Sequence, residues 1–372
     1  MITSCSILAL TIIYAGFILW CHRGWKSIEV ANKKANSKLL NVDVVVAIRN
    51  EEDTILNLLE RLVIQNYPKS NFRIVVIDDH SDDDSFTTAS NFLSHHAEIN
   101  SMILHSEGQG KKAALAQAIK NSAADLILTT DADCLVQDGW IRSMAEPFSR
   151  PEISFVAGPV VLSGGKGLFS LMQKMEMIGL TGIAGASIAN RRAMMCNGAN
   201  LCYRKSAYDA VQGYLGSEFA SGDDTQLMRK IHSEDPRKLL FVKSKKAIVQ
   251  SHSLSNLKYF WQQRRRWATK IPFTLSFFTV FIAAVSWLVH AGLFLLLIAL
   301  VFYPENTPLF LAAIIIKMTS ELLFLKNVGK DLDQQIQSFM VVLIQPLYWL
   351  YISLIGLAVP FSSYEWKGRK VK

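Results

Sequence analysis

Cysteine is sparse and unpatterned: the chain has five, Cys5, Cys21, Cys134, Cys196 and Cys202, an odd number with no C-x-x-C pair. That spacing offers neither a disulfide framework nor a zinc site, so reduced, cytoplasmic thiols are expected. Charge is also scarce. Only 19% of the 372 residues are charged and 50% are hydrophobic, with mean hydropathy +0.22, more apolar than a domain with a fully wet surface. There is no internal repeat or low-complexity segment, and the composition excludes disordered and collagen-like chains. What the chain has in excess is positive charge: 39 Lys and Arg against 31 Asp and Glu, a net +8. Such a balance admits nucleic acid, a membrane surface or anionic small molecules as partners, and its distribution decides among them.

The apolar residues sit at the two ends. Met1 to Trp20 contains no Asp, Glu, Lys or Arg and is followed by Arg23, Lys26, Lys33, Lys34 and Lys38. It reads as a membrane anchor (1–20) followed by a basic linker (21–41), with everything after Arg23 cytoplasmic. A cleaved signal peptide would need a basic start and a small-residue cleavage site, and neither is present. After the basic cluster Lys258, Arg264, Arg265, Arg266 and Lys270, charge vanishes from Ile271 to Tyr303. As one helix this stretch would reach about 50 Å, too long for a ~30 Å bilayer core and too short for two spans. An interfacial segment leading into one tilted helix is therefore expected, with a hairpin as the alternative. Two further apolar stretches, Pro308 to Leu325 and Ile336 to Val359, are separated by the polar stretch Lys326 to Gln335 and complete a membrane region (271–359) before a basic tail (360–372). One span per stretch puts the C-terminus outside, whereas the tail's lysines and arginines favour the inside. Lys317 and Glu321 share one helical face, either as a packing ion pair or as an intramembrane site.

Between them, the composition becomes globular, and short β-branched runs alternate with helix-period runs, as in α/β proteins. Strands are predicted at Val42 to Ile48, Arg73 to Ile77 and Leu126 to Thr130, and helices at Ile55 to Gln65, Phe86 to His95 and Lys111 to Asn121. Ligands of such sheets bind at the strands' carboxyl ends. There lie Arg49, Asn50 and Glu51, then Asp78 and Asp79, then Asp131 and Asp133. Two carboxylates one residue apart can hold Mg²⁺ or Mn²⁺ while leaving positions for diphosphate oxygens; the competing reading of Asp131-Ala132-Asp133 is a turn before a helix near Asp138. Asp79 is assigned a functional role and Asp82 to Asp84 mainly the capping of the next helix. Gly108-Gln109-Gly110-Lys111 lacks the spacing of a phosphate loop, and Lys112 stands where Ser or Thr is needed, which disfavours a nucleotide hydrolase. Lys111 can still face an anionic donor. Asp223 and Asp224 open a helix-like run and point about 100° apart, so one can face a pocket while the other caps. Gln263-Arg264-Arg265-Arg266-Trp267 combines diphosphate-clamping arginines with a flat ring for a sugar, and equally serves as an interfacial anchor.

The ordered set Val46-Ala47-Ile48-Arg49-Asn50-Glu51-Glu52, Val76-Ile77-Asp78-Asp79-His80-Ser81, Gly110-Lys111, Asp131-Ala132-Asp133, Asn197-Gly198-Ala199-Asn200, Gly222-Asp223-Asp224 and Gln263 to Trp267 resembles the inverting, metal-dependent glycosyltransferases of GT-A fold. That family includes cellulose, chitin and hyaluronan synthases. The resemblance covers Val42 to Lys270 and implies an α/β, Rossmann-like nucleotide-diphospho-sugar transferase domain (42–270), cytoplasmic and flanked by transmembrane helices. By the same resemblance, Ile48, Arg49, Asn50, Glu51, Asp79, Lys111, Asp131, Gln263 and Arg266 bind the donor, expected to be a UDP-sugar. Asp133 and Asp131 hold Mg²⁺ or Mn²⁺, Asp224 is the base with Asp223 beside it, and Trp267, Asn197 and Gly198 face the acceptor. The membrane part is shorter than in processive polysaccharide synthases, so a single transfer to a lipid, lipid-linked glycan or cell-envelope polysaccharide is expected, with processive synthesis as the alternative. The expected location is the bacterial inner membrane, with the membrane as partner and nucleic acid excluded. Nucleotidyl transfer and a non-catalytic membrane subunit are the more distant readings; release of nucleoside diphosphate rather than pyrophosphate separates the first from sugar transfer.

Overall fold

The computed structural model describes residues 2–29, 39–214, 223–268, 276–358, 364–366 and 369–371. Lys33, Lys34, Lys38, Gly222, Lys270 and most of the basic tail lie outside the described residues. The chain divides into two compact units, one of Ser27–Ser163 with Ile183–His252, the other of Met1–Lys26, Gly164–Gly182 and Ser253–Lys372.

In the first of these, β1 (Val42–Ile48) is apolar at nearly every position and buried, as suits a central strand covered on both faces. It pairs in parallel with β2 (Phe72–Asp78) and β4 (Leu126–Asp131), and β3 (Asn100–His105) extends the parallel part beyond β2. With β6 (Phe155–Ala157), β8 (Leu201–Arg204) and β9 (Leu239–Phe241) the seven-stranded order is β3-β2-β1-β4-β8-β6-β9, in which β8 runs antiparallel to both neighbours. The register sets Ile48 opposite Asp78 and Ala47 opposite Asp131, so the acidic strand ends share one edge of the sheet. A second sheet joins β5 (Leu135–Val136), β10 (Val249–His252) and β7 (Val160–Ser163).

Helix α2 (Ile55–Val63) buries Ile55, Leu58, Leu59 and Leu62, the i, i+3, i+4, i+7 face of an amphipathic helix. Helices α3 (Ser85–Ser94) and α4 (Lys111–Lys120) follow β2 and β3, and α5 (Trp140–Ala145) buries Trp140 and Ile141. Asn200 lies fully buried: its carboxamide accepts from Trp140 Nε1 at 2.9 Å and donates to the carbonyls of Pro159 and Ala247 at 2.8 Å each. Gly158 is packed so closely on Asn200 that a Cβ there would lie 2.7 Å from its Cγ.

In the other unit, helix α1 (Ile2–Ser27) continues past the predicted anchor boundary at Trp20. Residues up to Gly182 of α6 (Gly167–Ala189) belong here, as does α9 (Leu257–Ala268). Of the apolar stretch predicted from Ile271, residues 271–275, where the interfacial segment was expected, lie outside the described residues, and the described part forms one uninterrupted helix, α10 (Phe277–Ala299), without a hairpin. Helix α11 (Thr307–Asp331) absorbs most of the expected polar loop, and α12 (Ser338–Ala358) follows. Among the described residues, four helices, Ser4–Ser27, Phe277–Ala299, Pro304–Asp331 and Ser338–Ala358, are long and apolar enough to cross a membrane. Small residues bring them close: a Cβ at Gly292 would meet Ile7 at 3.0 Å, and Trp287 Nε1 donates to the Ser353 carbonyl at 3.3 Å.

Candidate active site

The carboxyl edge of the parallel strands is tied together before any ligand is considered. The Asp79 N–H donates to the Ile48 carbonyl at 2.8 Å, and Arg49 Nη1 donates to the Asp79 carbonyl at 2.9 Å. Asn50 adopts φ 51°, a left-handed conformation that Asn tolerates, and its side-chain oxygen accepts the Asp82 N–H at 2.8 Å. The Glu51 and Glu52 N–H groups donate to Ser85 Oγ and Asp83 Oδ2 at 2.6 and 3.1 Å. Asp83 also accepts the Ser85 N–H at 3.1 Å, whereas Asp84, at the N-cap of α3, makes no side-chain cap bond. The capping predicted for Asp82 to Asp84 therefore rests on Asp83 alone, because the loop turns its carboxylate back across α3's first turn. Asp79 is buried, and its Oδ1 accepts the Gly110 N–H at 2.7 Å. Gly110 stands at φ 92°, a region that favours glycine, and this turn delivers Lys111 to the start of α4.

At the end of β4, the Cys134 N–H donates to the Asp131 carbonyl at 3.1 Å. This tight turn brings a carboxylate oxygen of Asp131, one of Asp133 and the Cys134 sulfur within 4.8 Å of one another. Lys111 Nζ forms an ion pair with Asp131. Burial opposes the charge of Lys111, but the carboxylates of Asp131 and Asp224 outweigh it and hold the ammonium above its ordinary range. Asp133 is accessible yet crowded; this desolvation, with the carboxylates of Asp131 and Glu51, raises its carboxyl. Burial and the carboxylates of Asp131 and Asp133 push the Cys134 thiol well up, so it stays protonated. Two carboxylates at one strand end, facing each other's charge, suit a hard divalent cation through oxygen; the neutral thiol adds nothing to that donor set.

After the short helix α7 (Lys205–Ala210), Asp223 and Asp224 open helix α8 (Asp223–Glu234). Asp224 Oδ1 accepts the Thr225 N–H at 2.8 Å, and a Cβ at Gly198 would lie 3.2 Å from its Oδ2. Lys112 Nζ stands 3.8 Å from Asp223. Both adjacent lysines thus face carboxylates here, Lys111 those of Asp131 and Asp224, and Lys112 that of Asp223. Asn197 Oδ1 accepts the Ala199 N–H at 3.1 Å, and Thr129 Oγ1 donates to the Gly198 carbonyl at 3.2 Å, which fixes this loop beside β4. The structure thus gathers Lys111, Asp131, Asp133, Gly198, Asp223 and Asp224. Ile48 is buried and offers only its backbone. Gln263, Arg266 and Trp267 lie on α9, in the other unit. Sequence reasoning missed Lys112, treating it only as the residue that spoils a phosphate loop; the signal available was its position beside Lys111 at a helix start.

Residues 43–211 match the family model described as Glycosyl transferase family 2. Among curated proteins, the chain is 24% identical over 250 residues to a poly-beta-1,6-N-acetyl-D-glucosamine synthase of Staphylococcus epidermidis, covering 63% of this chain and 56% of that one. It is 25% identical over 248 residues to a beta-monoglucosyldiacylglycerol synthase of Trichormus variabilis, covering 63% and 50%. The chain spans about half the length of the curated relatives it matches. A solved mannosyltransferase from Pyrobaculum calidifontis, in complex with GDP-Man and Mn²⁺, superposes with TM-score 0.57 at 16% identity, over 95% of this chain and 99% of that one. At that identity the likeness speaks for the fold, which is the GT-A arrangement.

Proposed function

We propose that this chain, whose residues 43–211 match the glycosyl transferase family 2 model, moves a sugar from a nucleotide-diphosphate sugar to a membrane-associated acceptor. The donor in this reading is a UDP-sugar, and the acceptor is a lipid, a lipid-linked glycan or a cell-envelope polysaccharide. The observation that carries it is the gathering of Lys111, Asp131 and Asp133 at the β4 end with Asp224 at the start of α8. Membrane association is supported by four helices able to span a bilayer.

The reaction is a direct displacement with inversion. The Asp224 carboxylate takes the proton of the acceptor hydroxyl as its oxygen forms a bond to the anomeric carbon; the bond from that carbon to the diphosphate oxygen breaks, and nucleoside diphosphate leaves. Lys111 faces the diphosphate with a charge that Asp131 and Asp224 keep in place. Asp131 and Asp133 would hold Mg²⁺ or Mn²⁺, whose charge offsets that of the leaving diphosphate. Asp223, paired with Lys112, fixes the first turn of α8. By motif alone, Gln263 and Arg266 are assigned to the donor and Trp267 to the acceptor. The test is a donor panel on membranes containing the full chain, scoring nucleoside diphosphate release and lipid-extractable product. Pyrophosphate release, or no turnover with any sugar nucleotide, overturns the reading; a water-soluble polymer as product moves it to processive synthesis.

A further inference from the structure

We infer that Arg264, which the Gln263-to-Trp267 motif leaves unassigned, is a positioning residue that locks Gln263 and Trp267, and that Glu176 and Tyr351 lock it in turn. This rests on the proposed transfer reaction. Arg264 is the buried member of the three arginines, with 3% of its side chain exposed, and its partner Glu176 has 8%. Arg264 Nε donates to Glu176 Oε2 at 2.7 Å, and Nη2 lies 2.6 Å from the same oxygen. The second carboxylate oxygen accepts from the Tyr351 hydroxyl at 3.0 Å. Nη1 donates to Gln263 Oε1. The guanidinium carbon stands 4.1 Å from the Trp267 ring and 4.7 Å from the Phe260 ring.

The guanidinium is thus enclosed by the protein, with hydrogen bonds from Nε to a carboxylate and from Nη1 to a carboxamide and aromatic rings against it, while Nη2 is buried beside Glu176 without a hydrogen bond of its own. This burial separates Arg264 from the diphosphate role its neighbour Arg266 is assigned. What it touches are the motif residue assigned to the donor and the one assigned to the acceptor, one and three positions along α9. The planar, permanently charged fork makes the edge and the face contacts at once, which a lysine cannot. Glu176 comes from α6 and Tyr351 from α12, one of the candidate membrane spans. The seating of the motif is thus tied to a span, and Phe260 packs on Tyr351 at 5.2 Å beneath the same contact.

Tyr351→Phe removes only the hydroxyl, and Glu176→Gln removes only the charge. In the full chain in lipid nanodiscs, both are expected to speed amide hydrogen exchange of residues 257–268 at least several-fold while the melting temperature stays within a few degrees. Each should lower kcat on the order of 3- to 30-fold, as small misplacements do, with KM for the sugar nucleotide nearly unchanged. Arg264→Lys should not rescue. In a Trp267→Phe background, Tyr351→Phe should lose most of its effect on kcat, because its influence runs through that contact. Unchanged exchange in residues 257–268 overturns the proposal, as do faster exchange with wild-type kcat and full additivity with Trp267→Phe. A wild-type chain that turns over no sugar nucleotide refutes the transfer reaction instead, while the exchange measurement still decides whether Glu176 and Tyr351 hold the motif.

Discussion

Replacing Gly198 by alanine moves the proposed base without changing its chemistry. The new methyl carbon lies 3.2 Å from Asp224 Oδ2, 3.5 Å from its Cβ and 3.6 Å from its Cγ. Non-bonded carbon and oxygen settle nearer 3.5 Å, so the carboxylate must yield by about 0.3 Å. The backbone at Gly198 is outside the left-handed region, so alanine meets no conformational strain and the effect is steric alone. A misplacement of 1 Å costs on the order of 10²-fold in rate; scaling its logarithm to 0.3 Å gives roughly a four-fold loss of kcat for Gly198→Ala. Gly198→Val places more carbon against the same oxygen and should cost roughly ten-fold or more on that scale. Overpacking of this size destabilises by about 1 kcal/mol, a small shift in melting temperature. The assay is steady-state release of nucleoside diphosphate, paired with a titration of UDP in the presence of Mn²⁺. A wild-type kcat in both variants, or a loss explained by weaker UDP binding, refutes the placement of Asp224 as the base.

Asp224→Asn removes the base outright and is expected to lower turnover by about 10²- to 10⁴-fold with UDP affinity nearly intact; wild-type turnover under chemistry-limited conditions contradicts the assignment. Asp133→Ala should abolish Mn²⁺-dependent binding of UDP, measured by calorimetry, and an unchanged titration removes Asp133 from the metal site. Asn200→Ala strands the Trp140 N–H and the Pro159 and Ala247 carbonyls. At about 1–3 kcal/mol for an unpaired buried group, partly relieved by relaxation, the fold should lose about 3–5 kcal/mol. A thermal melt within a degree of wild type shows that this carboxamide is not the joint between its neighbours.

The parts legible in the sequence are those whose pattern is local. β1 is found at its observed bounds because Val42 to Ile48 is a β-branched run ended by a charged turn. The start of α4 is marked by glycine followed by lysine. β3 escaped because Asn100–His105 is a half-exposed edge strand with no alternation to read. Helix α6 escaped because its run of apolar and small residues carries no clear polar and apolar stripe, and nothing local says that its first part packs in the other unit. The ion pairs are long-range within each unit: Lys112 with Asp223 in one, and Arg264 with Glu176, 88 residues apart, in the other. No periodicity encodes such contacts; only the ordered motifs hinted that the Lys111, Asp131 and Asp224 regions converge.

The polar residues of α11 bear on where this unit resides. Lys317 is fully buried, and its Nζ donates to Glu321 Oε1 and Gln345 Oε1 at 2.7 Å each. Tyr14 and Gln345 donate to Glu321 at 2.6 and 3.2 Å, and Trp349 donates to Gln345 at 2.8 Å, so α1, α11 and α12 share one hydrogen-bonded cluster. On the opposite side of α11, Leu311, Ile315 and Leu323 are 51%, 63% and 50% exposed. A helix in water presents charge outward and buries leucine; this one does the reverse. Apolar side chains facing out cost nothing in lipid, and a charged pair facing in is tolerated there because every partner is supplied by the bundle. A buried ion pair adds little net stability over an apolar core, but it penalises every helix register that leaves one partner alone. Helices lacking a hydrophobic drive toward one another need such a term to settle in one arrangement, and the pair read from the sequence at i, i+4 is the part of it carried by α11.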